Sequence, residues 1–329
     1  MTNCMPAIYS MIGNSASLNG KTAWQYIRWD EVMRRVKSLQ RRIVKAVKAD
    51  RWNKVKVLQS ILSRSYAARL LAIRRVTENR GKRTSGIDGE LWDTPQKKYE
   101  AISQLKGKSY RPKPVRRIKI PKNNGKWRPL GIPTMLDRAM QALYLQTLEP
   151  ISETKADLHS YGFRSMRGCA DAIEQCFKVL CQSKSATWIL ECDIRGCFDN
   201  ISNEWLLEHI PMNRIILNKW LKAGYLEKGK FFPTQRGTPQ GSIISPCLAN
   251  LVLDGLQLAI DKACGIRYQK GNPAKRANNP YSIHLIRYAD DFVVTCKDKT
   301  ILENKVKPAI ELFLSNRGLT LSKEKTFIS

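Results

Sequence analysis

Two adjacent aspartates interrupt an apolar stretch in the last sixth of the chain. The segment HLIRYADDFVVTC, residues 284–296, carries Asp290 and Asp291 between two apolar runs. Those runs predict two short strands, so the aspartates would lie at the tip of a β-hairpin. Adjacent carboxylates raise each other's pKa unless a cation compensates them. We therefore expect a cation to bind at this position.

A third aspartate ends another apolar run, in TWILECDIRGCFDNI at residues 187–201. The run predicts a strand ending at Asp193, where a carboxylate is costly unless it is paired or bound to a metal. Asp193 facing Asp290 and Asp291 would suit Mg²⁺, which prefers oxygen ligands. Two such ions, about 3.5–4 Å apart, would clamp the attacking and leaving oxygens of a phosphoryl transfer. The alternative is a set of ordinary acidic turns, and for Asp199 this alternative is the better interpretation.

The overall charge of the chain points to a polyanionic partner. The 329 residues contain 57 Lys and Arg against 28 Asp and Glu, a formal net charge of +29. Nucleic acid is the simplest partner for a protein this basic. Composition alone leaves ribosome-like structural binding and binding to a membrane surface as competing explanations.

The cysteines argue against a zinc site and for a reducing compartment. The nine cysteines are scattered without a C-x-x-C pair, and the chain has three histidines. An odd number of cysteines within apolar runs indicates reduced thiols in the cytoplasm. The amino terminus lacks the features of a signal peptide, and no apolar run is long enough to span a membrane. We therefore expect a cytoplasmic protein with no membrane partner.

The segment at residues 29–52, WDEVMRRVKSLQRRIVKAVKADRW, predicts an amphipathic helix. Its apolar stripe is Val32, Val36, Leu39, Ile43 and Val47. Phosphate contact is favoured over a merely solvated face for its cationic side chains, which are Arg34, Arg35, Lys37, Arg41, Arg42 and Lys45. Two more helices follow, the first with Val55, Leu58 and Leu62 facing inward, and then a loop at residues 77–89.

Residues 110–134 predict a basic β-hairpin, and the next segment predicts a helix. A strand at 115–120, a turn at 123–125 and a second strand at 126–132 fit the sequence YRPKPVRRIKIPKNNGKWRPLGIPT. The helix MLDRAMQALYLQTLEPI would end at Pro150. From about residue 185, short strands and helices alternate around the acidic residues.

Several motifs, in this order, resemble those of bacterial group II intron-encoded reverse transcriptase/maturases. YADD after an apolar strand is similar to the reverse transcriptase signature. The other matching stretches are VTENRGKRTSGIDG, IPKNNGKWRPLGIPTMLDRAMQ, YGFRSMRGCADAI, DIRGCFDNI, RGTPQGSIISPCLANLVLDGL and RGLTLSKEKT. The resemblance covers nearly the whole chain from about residue 24.

The resemblance implies a right-hand polymerase of the α+β class, with helical basic fingers and a palm built on an antiparallel sheet. It divides the chain into a loose lead-in at 1–22, an RNA-binding region and fingers at 23–184, and a palm at 185–329. Family members continue into a thumb, and many into a DNA-binding segment and an endonuclease domain. We expect these 329 residues to lack those parts.

The resemblance also implies catalytic and metal-binding roles. Asp193 and Asp290 would be direct ligands of two Mg²⁺ ions, Asp291 would complete the acidic cluster, and the main chain of Ile194 would line the site. Phe198 falls at the aromatic gate position, where a ring beneath the sugar leaves no room for a 2′-hydroxyl. The alternative for Phe198 is an ordinary core residue.

Further residues would bind the nucleotide or the RNA. The nucleotide set is Lys122, Arg128, Arg195, Gly196, Cys197, Phe198, Gln240, Gly241 and Lys325. Lys119 and Lys126 stay open as substitutes for Lys122, because the sequence leaves the hairpin register undetermined, and Lys325 is equally compatible with a surface lysine. The family's N-terminal region binds intron RNA. The candidate RNA-binding residues are therefore those of the cationic helix together with Arg74, Arg75, Arg80 and Lys82.

The implied activity is RNA-directed DNA synthesis, with splicing of the intron and its mobility as further functions of this retroelement protein. The partners would be group II intron RNA, deoxynucleoside triphosphates, and an RNA template with a DNA primer or target DNA. The alternative is a maturase-type RNA-binding splicing cofactor with weak or no polymerase activity. Neither interpretation predicts an oligomeric state.

Overall fold

The protein is described by a computed structural model over residues 23–107, 109–121, 125, 127–269 and 272–329. The predicted lead-in at 1–22, together with Lys122 and Lys126, lies outside these described residues. The chain divides into two compact units. The first unit comprises the described residues up to Thr154 together with Pro211–Ser245. The second unit comprises Lys155–Ile210 and Pro246–Ser329.

Helices and strands alternate along both units. The helices are α1 Trp29–Lys48, α2 Trp52–Arg64, α3 Tyr66–Glu78, α4 Pro95–Gln104, α5 Met135–Lys155, α6 Cys169–Leu180, α7 Cys197–Asn200, α8 Asn203–His209, α9 Arg214–Leu221, α10 Ser245–Leu253, α11 Leu256–Ala263, α12 Lys299–Ile301 and α13 Lys307–Ser315. A 3₁₀ turn spans Arg80–Arg83, and a π-helical turn spans Leu302–Val306. The strands are β1 Val115–Pro121, β2 Trp127–Ile132, β3 Trp188–Asp193, β4 Tyr225–Glu227, β5 Lys230–Phe232, β6 Tyr268–Gln269, β7 Asn272–Arg276, β8 His284–Tyr288, β9 Asp291–Cys296 and β10 Phe327–Ile328. This mixture confirms the predicted α+β class.

The amphipathic helices of the first unit form as their periodicity predicts. In α1, Val32, Val36, Ile43 and Val47 are buried, because residues three and four apart share one face of a helix. In α2 the buried side chains are Val55, Leu58, Gln59 and Leu62, which includes all three predicted ones. Acidic residues in the first turn of α1 and basic residues in its last turn complement the helix dipole.

Helix α5 continues past Pro150 to Lys155, so the prediction that Pro150 ends it is wrong. Proline lacks the N–H that would bond the carbonyl of Gln146, one turn earlier. Gln40 of α1 replaces that donor, because its Nε2 lies 2.9 Å from the Gln146 carbonyl oxygen. A tertiary hydrogen bond therefore satisfies the group that the proline leaves unbonded.

The basic hairpin is part of a four-stranded sheet in the order β2-β1-β4-β5. Strands β1 and β2 are antiparallel, with Ile118 opposite Leu130, and β4 runs parallel to β1. The two predicted strands are confirmed, and the turn residues Asn123 and Asn124 lie outside the described residues.

The second unit is built around an antiparallel sheet in the order β10-β3-β9-β8. One face carries buried side chains from adjacent strands, which are Leu190, Cys192, Phe292 and Val294. Residues 155–184 belong to the same compact unit as this sheet. The functional boundary between fingers at 23–184 and palm at 185–329 stays a prediction. Within the described ranges, no helix is long and apolar enough to cross a bilayer.

Candidate functional site

Asp193 and Asp291 are brought together by the pairing of two strands. Asp193 is the last residue of β3 and Asp291 the first of β9, and the two are direct cross-strand partners. Burial, a hydrogen bond with Asp193 and the nearby charge of Asp290 raise the pKa of Asp291 to about 6. Two carboxyl groups in hydrogen-bond contact require a shared proton or a cation, so this pair suits a cation.

Lys325 supplies a positive charge to the same pair. Its Nζ lies 3.1 Å from Oδ2 of Asp193, and this hydrogen bond raises the pKa of Lys325. Backbone bonds hold the segment before it, from Arg195 N to Thr320 O at 2.9 Å and from Ser322 N to Asp193 O at 2.8 Å. The side chain is largely exposed, so the ion pair contributes little to stability. The lysine thus contacts the acidic pair rather than solvent alone.

Asp290 lies in the turn that joins β8 to β9. The preceding residue, Ala289, has φ +59°, a left-handed conformation that is uncommon for alanine. Asp290 itself is half-buried. The turn places Asp290 and Asp291 next to each other, as the sequence predicts for a hairpin tip.

A fully buried arginine supports this turn from beneath. Arg287 is 0% exposed and donates to the carbonyl oxygen of Ala289 at 3.2 Å. It also donates to Oδ1 of Asn250 at 3.1 Å and to Oδ1 of Asp254 at 2.7 Å. A buried charge requires such partners. Sequence reasoning missed Arg287, although an arginine inside the apolar run at 285–288 was the available signal.

The segment after Asp193 turns tightly and then begins α7. Gly196 has φ +54°, and a Cβ there would lie 2.9 Å from Nδ2 of Asn200. That amide donates to the carbonyl of Arg195 at 2.9 Å. The Cys197 side chain is buried, which raises its pKa to about 12, so its main chain is the part that could face a ligand. Phe198 is half-buried beside the ring of Phe163.

The oxygen donors near Asp193 are of the type that suits a hard cation, although the described side chains are not gathered into a complete ligand set. Ile194 forms an isolated antiparallel β-bridge with Leu321. The hydrogen bonds of this bridge are made by the Asp193 carbonyl and the Arg195 amide, so the Ile194 carbonyl oxygen takes no part in them. Carboxylate and carbonyl oxygens are the ligands that Mg²⁺ prefers. Among the described residues, no group of three or more His, Cys, Asp or Glu side chains is gathered closely enough to hold a metal ion.

An open cleft of about 540 Å³ lies beside the acidic pair in the second unit. Asp193, Asp291 and Lys325 line it, together with the apolar side chains of Ile173 and Val293. The cleft therefore offers room for a ligand that contacts charged groups and apolar surface together.

The other nucleotide-binding candidates belong to the first unit, apart from those already described. Arg128 is exposed on β2, opposite Ile120. The carbonyl of Gln240 accepts from Gly131 N at 2.7 Å. Gly241 has φ +100°, and a Cβ there would lie 2.6 Å from Gly131 O. The close approach at Gly241 is thus to the backbone of β2.

The candidate RNA-binding residues are mostly exposed on the helices of the first unit. Exposed side chains are Arg34, Lys37, Arg41, Arg42, Lys45, Arg75, Arg80 and Lys82. Arg35 pairs with Glu31 at 2.6 Å. Arg74 pairs with Glu78 at 3.0 Å and lies over the ring of Trp29. Arg35 and Arg74 are half-buried, so the exposed set is the larger source of charge.

Two family models match the chain. Residues 120–329 match "Reverse transcriptase (RNA-dependent DNA polymerase)", and residues 24–105 match "N-terminal domain of reverse transcriptase". These matches confirm the predicted family and, with it, the right-hand polymerase fold class.

Curated relatives include intron-encoded proteins. Group II intron-encoded protein LtrA of Lactococcus lactis subsp. cremoris is 31% identical over 315 residues, 79% of this chain and 52% of that protein. Protein YkfC of Escherichia coli K12 is 32% identical over 254 residues, 69% of this chain and 67% of that protein. The Saccharomyces cerevisiae putative COX1/OXI3 intron 1 protein is 28% identical, with 79% and 36% covered. The match to LtrA confirms the predicted similarity to group II intron-encoded proteins.

Among solved structures, apo telomerase from Candida tropicalis aligns with TM-score 0.48 and 15% identity, over 68% of this chain and 45% of that one. The chain spans about half the length of LtrA.

The reverse transcriptase model covers residues 120–329, which is more than half of the sequence. The chain therefore belongs to the reverse transcriptase (RNA-dependent DNA polymerase) family.

Proposed function

We propose that this chain is a magnesium-dependent, RNA-directed DNA polymerase of a group II intron, which also binds its intron RNA. The observation that carries the proposal is the pairing of Asp193 with Asp291 beside Asp290, within the segment that matches the reverse transcriptase model. Mutually repelling carboxylates have no structural use, whereas phosphoryl transfer requires a cation at this point.

Asp193, Asp290, Asp291 and the carbonyl of Ile194 would hold two magnesium ions. When bound, the ions would supply the positive charge that activates the attacking hydroxyl and stabilises the leaving group. The raised pKa of Asp291 supports this assignment. Burial, the hydrogen bond with Asp193 and the charge of Asp290 all disfavour the bare carboxylate, and a bound cation would stabilise it.

The reaction would extend a DNA primer on an RNA template. The primer 3′-oxygen forms a bond to the α-phosphorus of a deoxynucleoside triphosphate, and the bond from that phosphorus to the α–β bridging oxygen breaks. Pyrophosphate leaves, and the hydroxyl proton is released. Positioning and charge supply most of the catalysis in such transfers.

Further residues of the chain would bind the nucleotide. Arg128 would contribute a guanidinium fork for phosphate, and Lys122 a point charge. The remaining set is Arg195, Gly196, Cys197, Gln240, Gly241 and Lys325. Phe198 would act as the gate against a 2′-hydroxyl. Its fixed spacing of five residues from Asp193 supports this role.

The basic helices would bind intron RNA and assist splicing and mobility. Support comes from the exposed cationic side chains of α1 and from the intron-encoded relatives. The second candidate function is a maturase-type RNA-binding cofactor with weak or no polymerase activity. A cytoplasmic location stays a prediction that depends on the scattered cysteines.

Primer extension on an RNA template with Mg²⁺ and deoxynucleotides tests the proposal. We expect Asp290→Asn/Asp291→Asn to reduce extension by roughly 10²-fold or more, with RNA binding kept. Glu208→Gln, an exposed carboxylate of the second unit, is the matched control and should extend normally. Extension that survives in the double variant contradicts the polymerase assignment. Tight RNA binding without extension by the unmodified chain supports the maturase-type alternative.

A further inference from the structure

Phe163 adopts a backbone conformation that a bulky side chain rarely takes. Its φ is +61°, in the left-handed region, and its side chain is 52% exposed. A non-glycine residue held there is strained, and such strain persists only where the surroundings impose it. The ring meets Phe198 edge to face, with centroids 6.0 Å apart and an interplanar angle of 65°.

The residue before Phe163 is packed directly against the turn that carries Asp290. A Cβ built at Gly162 would lie 2.2 Å from the backbone nitrogen of Ala289, so only glycine fits. The Gly162 carbonyl accepts a hydrogen bond at 3.0 Å from Nδ2 of Asn250, which is 2% exposed. The amino-terminal side of Phe163 is thus fixed by a buried donor and by close packing.

The residue after Phe163 is fixed as well. Arg164 is buried, and its guanidinium donates to the carbonyl oxygens of Ser160 at 2.8 Å and Asp157 at 3.2 Å. The loop is therefore closed on itself around Phe163. The φ of Phe163 follows from this closure, because neither neighbour is free to relax it.

One framework holds both the aromatic pair and the acidic turn. Asn250 donates to Gly162 and accepts from Arg287, and Arg287 donates to the carbonyl of Ala289. A displacement of the Phe163 loop would thus also displace the residue before Asp290. The position of the ring is coupled to that of the proposed catalytic carboxylates.

We propose that Phe163 is a positioning residue for Phe198. The hydrogen bonds around the Phe163 loop hold its ring in edge contact with the Phe198 ring. This contact keeps the Phe198 ring in the position where it excludes a ribose 2′-hydroxyl. The substrate class selected in this way is 2′-deoxynucleoside triphosphates over ribonucleoside triphosphates. This inference rests on the proposed polymerase function and on the role of Phe198 as the gate.

Single-nucleotide incorporation by the full chain tests this role. We expect Phe163→Ala to lower the ratio of kcat/KM for deoxynucleotides over ribonucleotides by about three- to tenfold, the range that one aromatic pair supports. The change should lie mainly in KM, and Phe163→Tyr, which keeps the ring, should restore the ratio. Phe177→Ala is the matched control, since Phe177 is 69% exposed on α6 of the same unit.

Phe163→Gly separates positioning from stability. Glycine accepts φ +61° without strain, so this variant should unfold at a higher temperature than Phe163→Ala. It should nevertheless lose the same discrimination, because the ring is absent. A wild-type ratio in both variants overturns the proposal.

The position of the Phe198 ring can be followed without catalysis. In protein labelled with fluorophenylalanine, we expect Phe163→Ala to broaden the Phe198 fluorine signal, which Phe198→Leu assigns, because the released ring samples several positions. A shift without broadening reports only the lost ring current of Phe163 and counts against the inference. An unchanged signal overturns the inference. If the unmodified chain incorporates no nucleotide, the polymerase proposal fails, and this spectrum still decides whether Phe163 holds the ring.

Discussion

At the scale of single residues, the strongest constraint is the burial of charge beneath the Ala289 turn. Arg287 has no exposed surface and shares its guanidinium among Ala289, Asn250 and Asp254. Burial raises the pKa of Asp254 to about 7 even with this arginine beside it. Each partner is therefore costly without the other.

Replacing Arg287 should destabilise the protein far more than replacing an exposed arginine. We expect Arg287→Met to lower the free energy of unfolding by about 3–5 kcal/mol, because it leaves Asp254 buried without its cation. Arg267→Met, at an exposed position, should change it by less than about 0.5 kcal/mol. Denaturant unfolding measures both values. Adding Asp254→Asn to Arg287→Met should recover part of the loss, and full additivity of the two changes would contradict the pairing.

A half-buried histidine, His284, should make stability depend on pH. Burial and the charge of Arg276 lower the pKa of His284 to about 4, below its ordinary 6.5. Between these values the unfolded chain binds a proton that the folded chain does not. This contribution to stability is complete above pH 6.5 and is lost as pH falls toward 4.

The thermal midpoint at pH 7 and pH 5 checks this expectation. The drop between the two values should be smaller in His284→Asn, which cannot titrate, than in the unmodified protein. His159, whose pKa burial also lowers, provides the comparison variant His159→Asn. Equal drops in the unmodified protein and in His284→Asn would contradict the assignment.

At the scale of secondary-structure elements, α1 and α5 depend on each other through one hydrogen bond. Helix α5 passes through Pro150, and the side chain of Gln40 in α1 donates to the Gln146 carbonyl that the proline cannot reach. Gln59 of α2 donates to the next carbonyl, that of Thr147, at 3.3 Å. The packing of helices thus determines how far α5 extends.

The Gln40 bond predicts a coupling that a double-mutant cycle can measure. Gln40→Leu should cost about 1–3 kcal/mol of unfolding free energy, because it leaves a carbonyl without a donor. In a Pro150→Ala background the helix supplies its own N–H to Gln146, so the same change should cost less. The coupling between positions 40 and 150 is the measured quantity. Additive effects would contradict the proposed replacement of the donor.

At the scale of the whole molecule, charge is the dominant property. The net charge of +29 includes exposed cationic side chains along α1, a helix whose opposite face is buried. Binding that releases counterions from a polyanion weakens steeply with salt. The basic helix and the acidic site can therefore be tested separately, one by affinity and the other by extension.

Affinity for intron RNA should fall linearly with salt on logarithmic axes. The combined change of Lys37, Arg41, Arg42 and Lys45 to Gln should reduce the slope by about 3–4, since each phosphate contact contributes about 0.7–0.9. Binding titrations at several salt concentrations measure the slope. The control replaces Lys184, Lys262, Lys297 and Lys299 of the second unit with Gln, and its slope should stay close to that of the unmodified chain. A flat salt dependence of the unmodified chain would contradict the polyanion interpretation.

Local sequence determined the helices and strands and the types of side chain at the site. Apolar runs predicted the strands around Asp193 and Asp290, and helical spacing predicted the buried face of α1. These features depend on neighbours within a few residues, which is why a pattern in the sequence reveals them. Identification of the family followed from the order of several such motifs.

Tertiary structure decided what depends on residues far apart in the chain. The register that makes Asp193 the partner of Asp291 joins residues almost a hundred positions apart. The strain at Phe163 follows from its surroundings, including the buried amide of Asn250. Helix α5 likewise continues past Pro150 because a donor comes from another helix. Local propensity predicts that a positive φ at Phe163 and a proline within α5 cost free energy. Only tertiary packing supplies the hydrogen-bond partners, Asn250 and Gln40, that offset this cost.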